Sequence, residues 1–348
     1  MTHRRPVAAA ILLLAVVLLL AACGEKQENT AAPRPERLRL VLDFFPNADH
    51  AGIYAAQATG AFRREGLDVQ IQTPSDPAAP LKLLAAGRAD LAISYEPELL
   101  LARDKGQDLV GVGALVQRPL TSIMSIGSRA ISRPSQLRGK KVGTAGIPYQ
   151  SAYLKAILDR AGVPESSVQE VNVGFNLVPA MLSRRVAATL GAFWNYEGVQ
   201  LRLEHRRPRI IRVDEAGIPT YDELVFVARA GDLGAGGAKV RRFMRAIAQG
   251  HEALRKNPMT GIAPLLKANP DLQRRLQLAS VRATLPAFFP ADRSKPFGWQ
   301  EPSEWAAYAR WMHAHQLLSA PGVGQALTNE FLPGQGPHVS DSSRPGAS

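Results

Sequence analysis

"LRLVLDFFPNADHAGIYAAQATGAF", Leu38 to Phe62, is an apolar run that stops at Asp43, then a loop of aromatic and polar residues, then an amphipathic run from His50. This order reads as strand, loop and helix. A buried strand of a parallel sheet is continuously apolar rather than alternating, and Asn47 stands where a helix cap is expected. The stretch poses one question: are Asp43, Asn47, His50 and Tyr54 a catalytic cluster or one wall of a binding cleft?

Moving outward, the same alternation continues through LDVQIQT, APLKLLAAG, DLAIS, PELLLARDKG and LVGVGALV. Short strands separated by helices predict an α/β fold with mostly parallel sheets flanked by helices. Gly60, Gly66, Gly87 and Gly106 fall where the helices should stop. TSIMSI, Thr121 to Ile126, reads as a strand of this first series. After the polar SRPSQLRGK a second series begins at Lys141 to Thr144 and runs through YQSAYLKAILDRAG, VQEVNV, NLVPAMLSRR, AATLGAF, WNYEGVQLRLEH and RIIRV. DELVFVARAG then returns as a strand, and the pattern is helical from Lys239.

One unit interrupted by another and then resumed predicts a discontinuous first lobe, 38–128 plus 219–332, and a second lobe, 129–218. Two connections between them make a hinge with a cleft between the lobes. Ligand sites in such open sheets collect at the carboxyl ends of strands.

The ends of the chain carry other information. In residues 1–22, Arg4 and Arg5 precede an apolar run that closes on Ala21-Ala22, which reads as an export signal; the run is short of the roughly 20 apolar residues a membrane span needs. Small residues ahead of the only cysteine, Cys23, resemble a bacterial lipobox. Cleavage before Cys23 and lipidation of its thiol would hang the mature chain from a membrane of the cell envelope, on the extracytoplasmic side. Residues 23–37 read as a tether and 333–348 as a disordered tail. The 42 Lys and Arg against 30 Asp and Glu give a net charge of +12, yet the arginines are scattered. No basic stretch is interleaved with aromatics, so a nucleic-acid partner is not expected.

Four strand-end loops carry residues that core packing would not choose. They are Asp43 to Asn47 with His50, Ser94-Tyr95-Glu96, Gly143 to Gly146 with Tyr149-Gln150, and Trp194-Asn195-Tyr196-Glu197. Aromatic faces suit a flat ligand, although any one of these rings can equally pack inward. Asp43 and Glu197 fit acid/base chemistry, ligand contact or helix capping. With no Lys, Cys or second His to pair with them, ligand and capping roles are the expectation, and no catalytic residue is assigned. No metal or cofactor is expected either. His313 and His315 alternate on a helix and point apart, the loop at 143–146 lacks the P-loop lysine, and Ser94 and Ser151 lack a nucleophile-elbow context.

The segments LDFFPNADHAGIYAAQATGAFRREGLDV, LLAAGRADLAISYEPELLLARDKG, WNYEG, GIPTYDELVFVA and PFGWQEPSEWAAYARWMHAHQLL resemble the solute-binding proteins of ABC importers. The group is that of thiamine-pyrimidine precursor binding, which shares its fold with a pyrimidine synthase. The resemblance implies a two-lobed periplasmic-binding-protein type II fold and a small heteroaromatic solute handed to a membrane permease driven by an ATPase. It implies that Trp194 and one of Phe45, Tyr54 and Tyr95 sandwich the ring while Glu197 accepts from it. Asp43, Asn47, His50, Ser94, Tyr149, Tyr221 and Asp222 would supply the remaining contacts. The synthase's reactive lysine is replaced here by Ser94 and its cysteine-rich stretch by YDELVFV, so a receptor is expected, for a hydroxymethyl- or formylamino-pyrimidine or for another solute such as riboflavin or a sulfonate.

Overall fold

A computed structural model describes residues 34–128, 130–322 and 324–335. The signal segment, Cys23, most of the tether and most of the tail lie outside the described residues.

Two five-stranded sheets organise the chain. The first takes β1 (Glu36–Val41), β2 (Leu67–Gln72), β3 (Leu91–Ser94), β4 (Leu109–Val116) and β10 (Leu224–Arg229), in the order β2-β1-β3-β10-β4. The second takes β5 (Thr121–Ser125), β6 (Lys141–Thr144), β7 (Gln169–Asn172), β8 (Ala188–Phe193) and β9 (Arg209–Arg212), in the order β7-β6-β8-β5-β9. In each sheet one strand runs against its neighbours. β10 is antiparallel to β3 and β4, and β5 is antiparallel to β8 and β9. The two sheets thus repeat one plan, each receiving its reversed strand straight from the other.

This corrects one boundary. Thr121 to Ser125, expected in the first lobe, pairs within the second sheet, so the first crossing falls at residues 117–120. A short buried strand reads the same whichever sheet it joins, because pairing is a long-range matter that local pattern does not encode. The second crossing runs from Val213 to Glu223.

β1 lies inside its sheet, paired on both sides, with Leu38 opposite Val69 and Leu40 opposite both Ile71 and Leu91. Leu38, Leu40 and Val41 are fully buried, as a strand covered on both faces requires. Helices α1 (Ala51–Ala58), α2 (Ala61–Arg64), α3 (Pro80–Ala85) and α4 (Glu96–Asp104) follow the strands of the first half. The second half holds α5 (Pro148–Arg160), α6 (Leu177–Leu182) and α7 (Glu197–Leu203), and the chain returns to build α8 (Ala230–Lys256), α9 (Met259–Ala268), α10 (Arg274–Thr284) and α11 (Pro302–Ala314).

α8 begins nine residues before the helical pattern at Lys239 and is 27 residues long. Its first turns are glycine-rich, at a cost of about 1 kcal/mol per glycine relative to alanine. Packing offsets this cost: Gly237 lies so close to Phe331 that a Cβ would sit 2.9 Å from the ring. Asp232 pairs with Arg229 at the positive end of the helix dipole. Further along, α8 crosses α1 at small residues. A Cβ on Gly250 would lie 2.3 Å from the Gly52 carbonyl, and one on Gly52 would strike His251. The C-terminal segment covers the edge of β4, where Gly111 N–H donates to the Ala326 carbonyl and Thr328 N–H to the Gly111 carbonyl.

Candidate functional site

The carboxyl ends of β1, β3, β6 and β8 face one another across a narrow cleft. The first half contributes Asp43, Phe44, Asn47 and Tyr95. The second half contributes Ala145, Ile147, Gln150, Leu177, Gly191, Phe193, Tyr196 and Glu197.

The loop after β1 is fixed by its own hydrogen bonds. Asn47 Oδ1 accepts from Asp49 N–H at 2.8 Å, Asn47 Nδ2 donates to the Phe45 carbonyl at 3.1 Å, and Asn47 N–H donates to His50 Nδ1 at 3.2 Å. Because Nδ1 accepts, the proton of neutral His50 sits on Nε2. Nε2 therefore donates to Asp43 Oδ1, at 2.8 Å. Tyr95 O–H donates to Asp43 Oδ2 at 2.9 Å. Asp43 is held from both sides and presented, as an acceptor, to the cleft.

On the facing wall Glu197 opens α7, and its Oε2 accepts from the Phe193 N–H at 2.7 Å. Burial pushes its carboxyl up to about 7, against that hydrogen bond and with help from the charges of Asp49 and Asp43. Its own backbone N–H also eases the carboxyl down. The rings close the space: Phe44 packs edge-on to Phe175 at 4.6 Å, Phe45 reaches Tyr196 at 6.0 Å, and Tyr95 leans on Tyr149 at 5.1 Å.

Direct bonds join the two halves beside the cleft. Asn195 Nδ2 donates to Asp49 Oδ1 at 2.7 Å and to Thr284 Oγ1 at 2.6 Å, and Gln277 Nε2 donates to the Tyr196 hydroxyl at 3.0 Å. The hydroxyls of Tyr153 and Tyr308 also meet. At the crossings, buried Glu223 accepts from Leu120 N–H at 2.5 Å, from Thr121 N–H and Oγ1–H at 2.8 Å each, and from Tyr221 O–H at 2.9 Å. One carboxylate on the second crossing thereby holds the first.

Of the residues expected at the site, Asp43, Asn47, Tyr95 and Glu197 line the cleft. His50 stands behind Asp43, and Tyr149, fully buried, stands behind Tyr95. Phe45 lies beside the cleft while its neighbour Phe44 lines it. Trp194 is displaced from the expected sandwich: its Nε1 donates to the Pro119 carbonyl at 3.0 Å and the Arg212 guanidinium covers its ring at 5.0 Å. Tyr54 meets Asn269 at 3.3 Å, away from the cleft. Ser94 is buried in register with Val225, and Tyr221 is spent on Glu223. Asp222 accepts from Trp305 Nε1 at 2.7 Å and lines a different hollow with Arg118, Lys295 and Glu304.

Tyr196 and Gln150 belong to loops that the sequence marks as unusual. Ile147, Leu177, Gly191 and Phe193 carry no such mark, since an apolar residue lining a cleft and one filling a core look alike in sequence. Among the described residues no group of three His, Cys, Asp or Glu is placed to hold a metal ion.

A family model described as NMT1/THI5 like matches residues 47–260. The formylaminopyrimidine-binding protein of Halalkalibacterium halodurans is 33% identical over 305 residues, 86% of this chain and 92% of that protein. A 4-amino-5-hydroxymethyl-2-methylpyrimidine phosphate synthase of Legionella pneumophila is 24% identical over 300 residues, 85% of this chain and 92% of the enzyme. The alkanesulfonate-binding protein SsuA from Xanthomonas axonopodis pv. citri superposes with a TM-score of 0.66 at 18% identity, over 86% of this chain and all of that one, a likeness of fold.

Proposed function

The chain belongs to the NMT1/THI5-like family, and from that premise we propose that it is the extracytoplasmic solute-binding component of an ABC importer for a thiamine pyrimidine precursor, a hydroxymethyl- or formylamino-pyrimidine. The observation that carries this reading is the cleft itself. Two buried carboxylates face each other across aromatic and aliphatic walls, and each is held by protein donors that leave an acceptor for a ligand N–H. Such a site takes a flat ring by its faces and reads its edge by hydrogen bonds.

The halves close over the solute by rotation at the two crossings, the domain motion usual for such receptors. A permease and its ATPase are the partners that would take the solute onward. Lipid on Cys23 would keep the receptor at the membrane, and loss of labelled palmitate from a Cys23→Ser variant is the expected result. Catalysis in the manner of the synthase is not proposed, because among the described residues no Lys or Cys lines the cleft. Titration calorimetry with both pyrimidines tests the reading: one site per chain and a negative heat-capacity change are expected for ring burial. No heat from either compound would refute it.

A further inference from the structure

Gln150, in the first turn of α5, is 1% exposed and lines the cleft. Its Oε1 accepts from Ala145 N–H at 2.7 Å. That bond fixes which way the amide points, since the flipped form would set two donors against each other. Nε2 then lies over Gly191, where a Cβ would come within 2.3 Å of it.

Gly191 sits inside β8 with φ +116. A glycine within a strand gives up packing and marks a close backbone approach, and here the freed space is occupied by the Gln150 amide at the cleft wall. One N–H of Nε2 serves the Tyr149 hydroxyl, and the other has no acceptor among the described residues. The Tyr149 phenol is raised well above its ordinary value by burial first and then by Glu223, and the Thr121 hydroxyl and the Gln150 amide ease it back.

The other polar groups of the cleft differ in kind. Asp43 and Glu197 offer acceptors, while Asn47 spends its side chain on Asp49 N–H and the Phe45 carbonyl. The cleft therefore shows a ligand acceptors at Asp43 and Glu197 and one side-chain amide donor at Gln150. A ring amino group satisfies the former. The latter calls for a carbonyl oxygen.

We propose that Gln150 determines specificity by donating to the formyl carbonyl oxygen of a formylaminopyrimidine, and that Gly191 is kept free of a side chain to let the amide reach it. This rests on the pyrimidine reading above. The amine left when the formyl group is removed brings donors and a positive charge to the same place. Its donors find no acceptor, and leaving buried polar groups unpaired is the strongest form of rejection a site can apply.

The test is calorimetry of the full chain with the formylaminopyrimidine and with the deformylated amine, on wild type and on Gln150→Glu. The substitution keeps the size and the bond from Ala145 N–H but turns the donor into an acceptor. Wild type is expected to favour the formyl compound by about tenfold or more. Gln150→Glu should lose about tenfold on that compound and gain on the amine, inverting the preference. Gly191→Ala, with its fold checked by thermal unfolding, should lose the preference without inverting it. Equal weakening of both ligands in Gln150→Glu, or equal affinity of wild type for the two, would overturn the assignment of Gln150 while leaving the receptor reading intact. Failure of wild type to bind either would overturn the receptor reading and this inference with it.

Discussion

Asp49 shows how much a single proton matters beside the cleft. Its Oδ1 takes the bonds from Asn195 and Thr284, at 2.7 and 3.1 Å, while its Oδ2 and Asn195 Oδ1 are buried without partners among the described residues. Burial pushes the Asp49 carboxyl up to about 6, against the His50 ring, with Asp43 adding to the rise. Glu98, Glu197, Asp222 and Glu223 are likewise raised to about 7, in each case chiefly by burial. A raised carboxyl binds its proton more tightly folded than unfolded, so its contribution is full below the unfolded value near 4 and is lost as pH rises through 6 to 7. The melting temperature should fall between pH 5 and pH 8, and Asp49→Asn, which mimics the protonated form, should remove a share of order 1 kcal/mol from the loss over that range. A melting temperature that rises over this range would contradict the assignment. Polar residues at strand ends made Asp43, Asn47, Tyr95 and Glu197 legible in the sequence. Choosing among aromatics was not possible there, because a ring's direction depends on backbone details that residue type does not carry. Phe44 lines the cleft and Trp194 caps a crossing. Phe44→Ala should weaken pyrimidine binding by about 2 kcal/mol, and Trp194→Phe should leave it within about twofold; the reverse ranking in calorimetry would restore Trp194 to the site.

Among the elements, strands and helices follow the hydrophobic period of the sequence closely, from β1 through α11. Two features escaped it. The glycine-rich start of α8 is helical because Phe331 and the Arg229–Asp232 pair support it, contacts that no local window contains. β5 belongs to the second sheet because Thr121 to Met124 pair with β8 and Ser122 to Ser125 with β9. Its placement sharpens the hinge: the chain passes directly from one sheet to the strand beside the edge of the other, twice, and Glu223 binds the two passages together. All four of its partners donate to it, and two are backbone N–H groups that can only donate, so Glu223→Leu would leave buried donors without an acceptor. Loss of about 2 to 3 kcal/mol in urea unfolding is expected. A neutral effect would mean that the crossings do not depend on this carboxylate.

For the whole molecule, the repeated strand order places the carboxyl ends of both sheets around one shared space. Bonds from Asn195, Gln277 and Tyr153 across the halves hold that space nearly closed. A receptor gains from this arrangement because closure removes the ring from water and completes its hydrogen bonds in one motion, so affinity and conformation are coupled. The same fold serves sulfonate binding in SsuA, and fold alone does not choose a solute; on the reading proposed above, the choice would lie with the acceptors of Asp43 and Glu197, the donor of Gln150 and the rings around them. The most direct test is native mass spectrometry of the protein purified from the cells that make it. The account predicts one noncovalent pyrimidine per chain, with a mass matching the formylamino or hydroxymethyl compound, and its loss from Phe44→Ala; a bound flavin or sulfonate, or a covalent adduct, would contradict it.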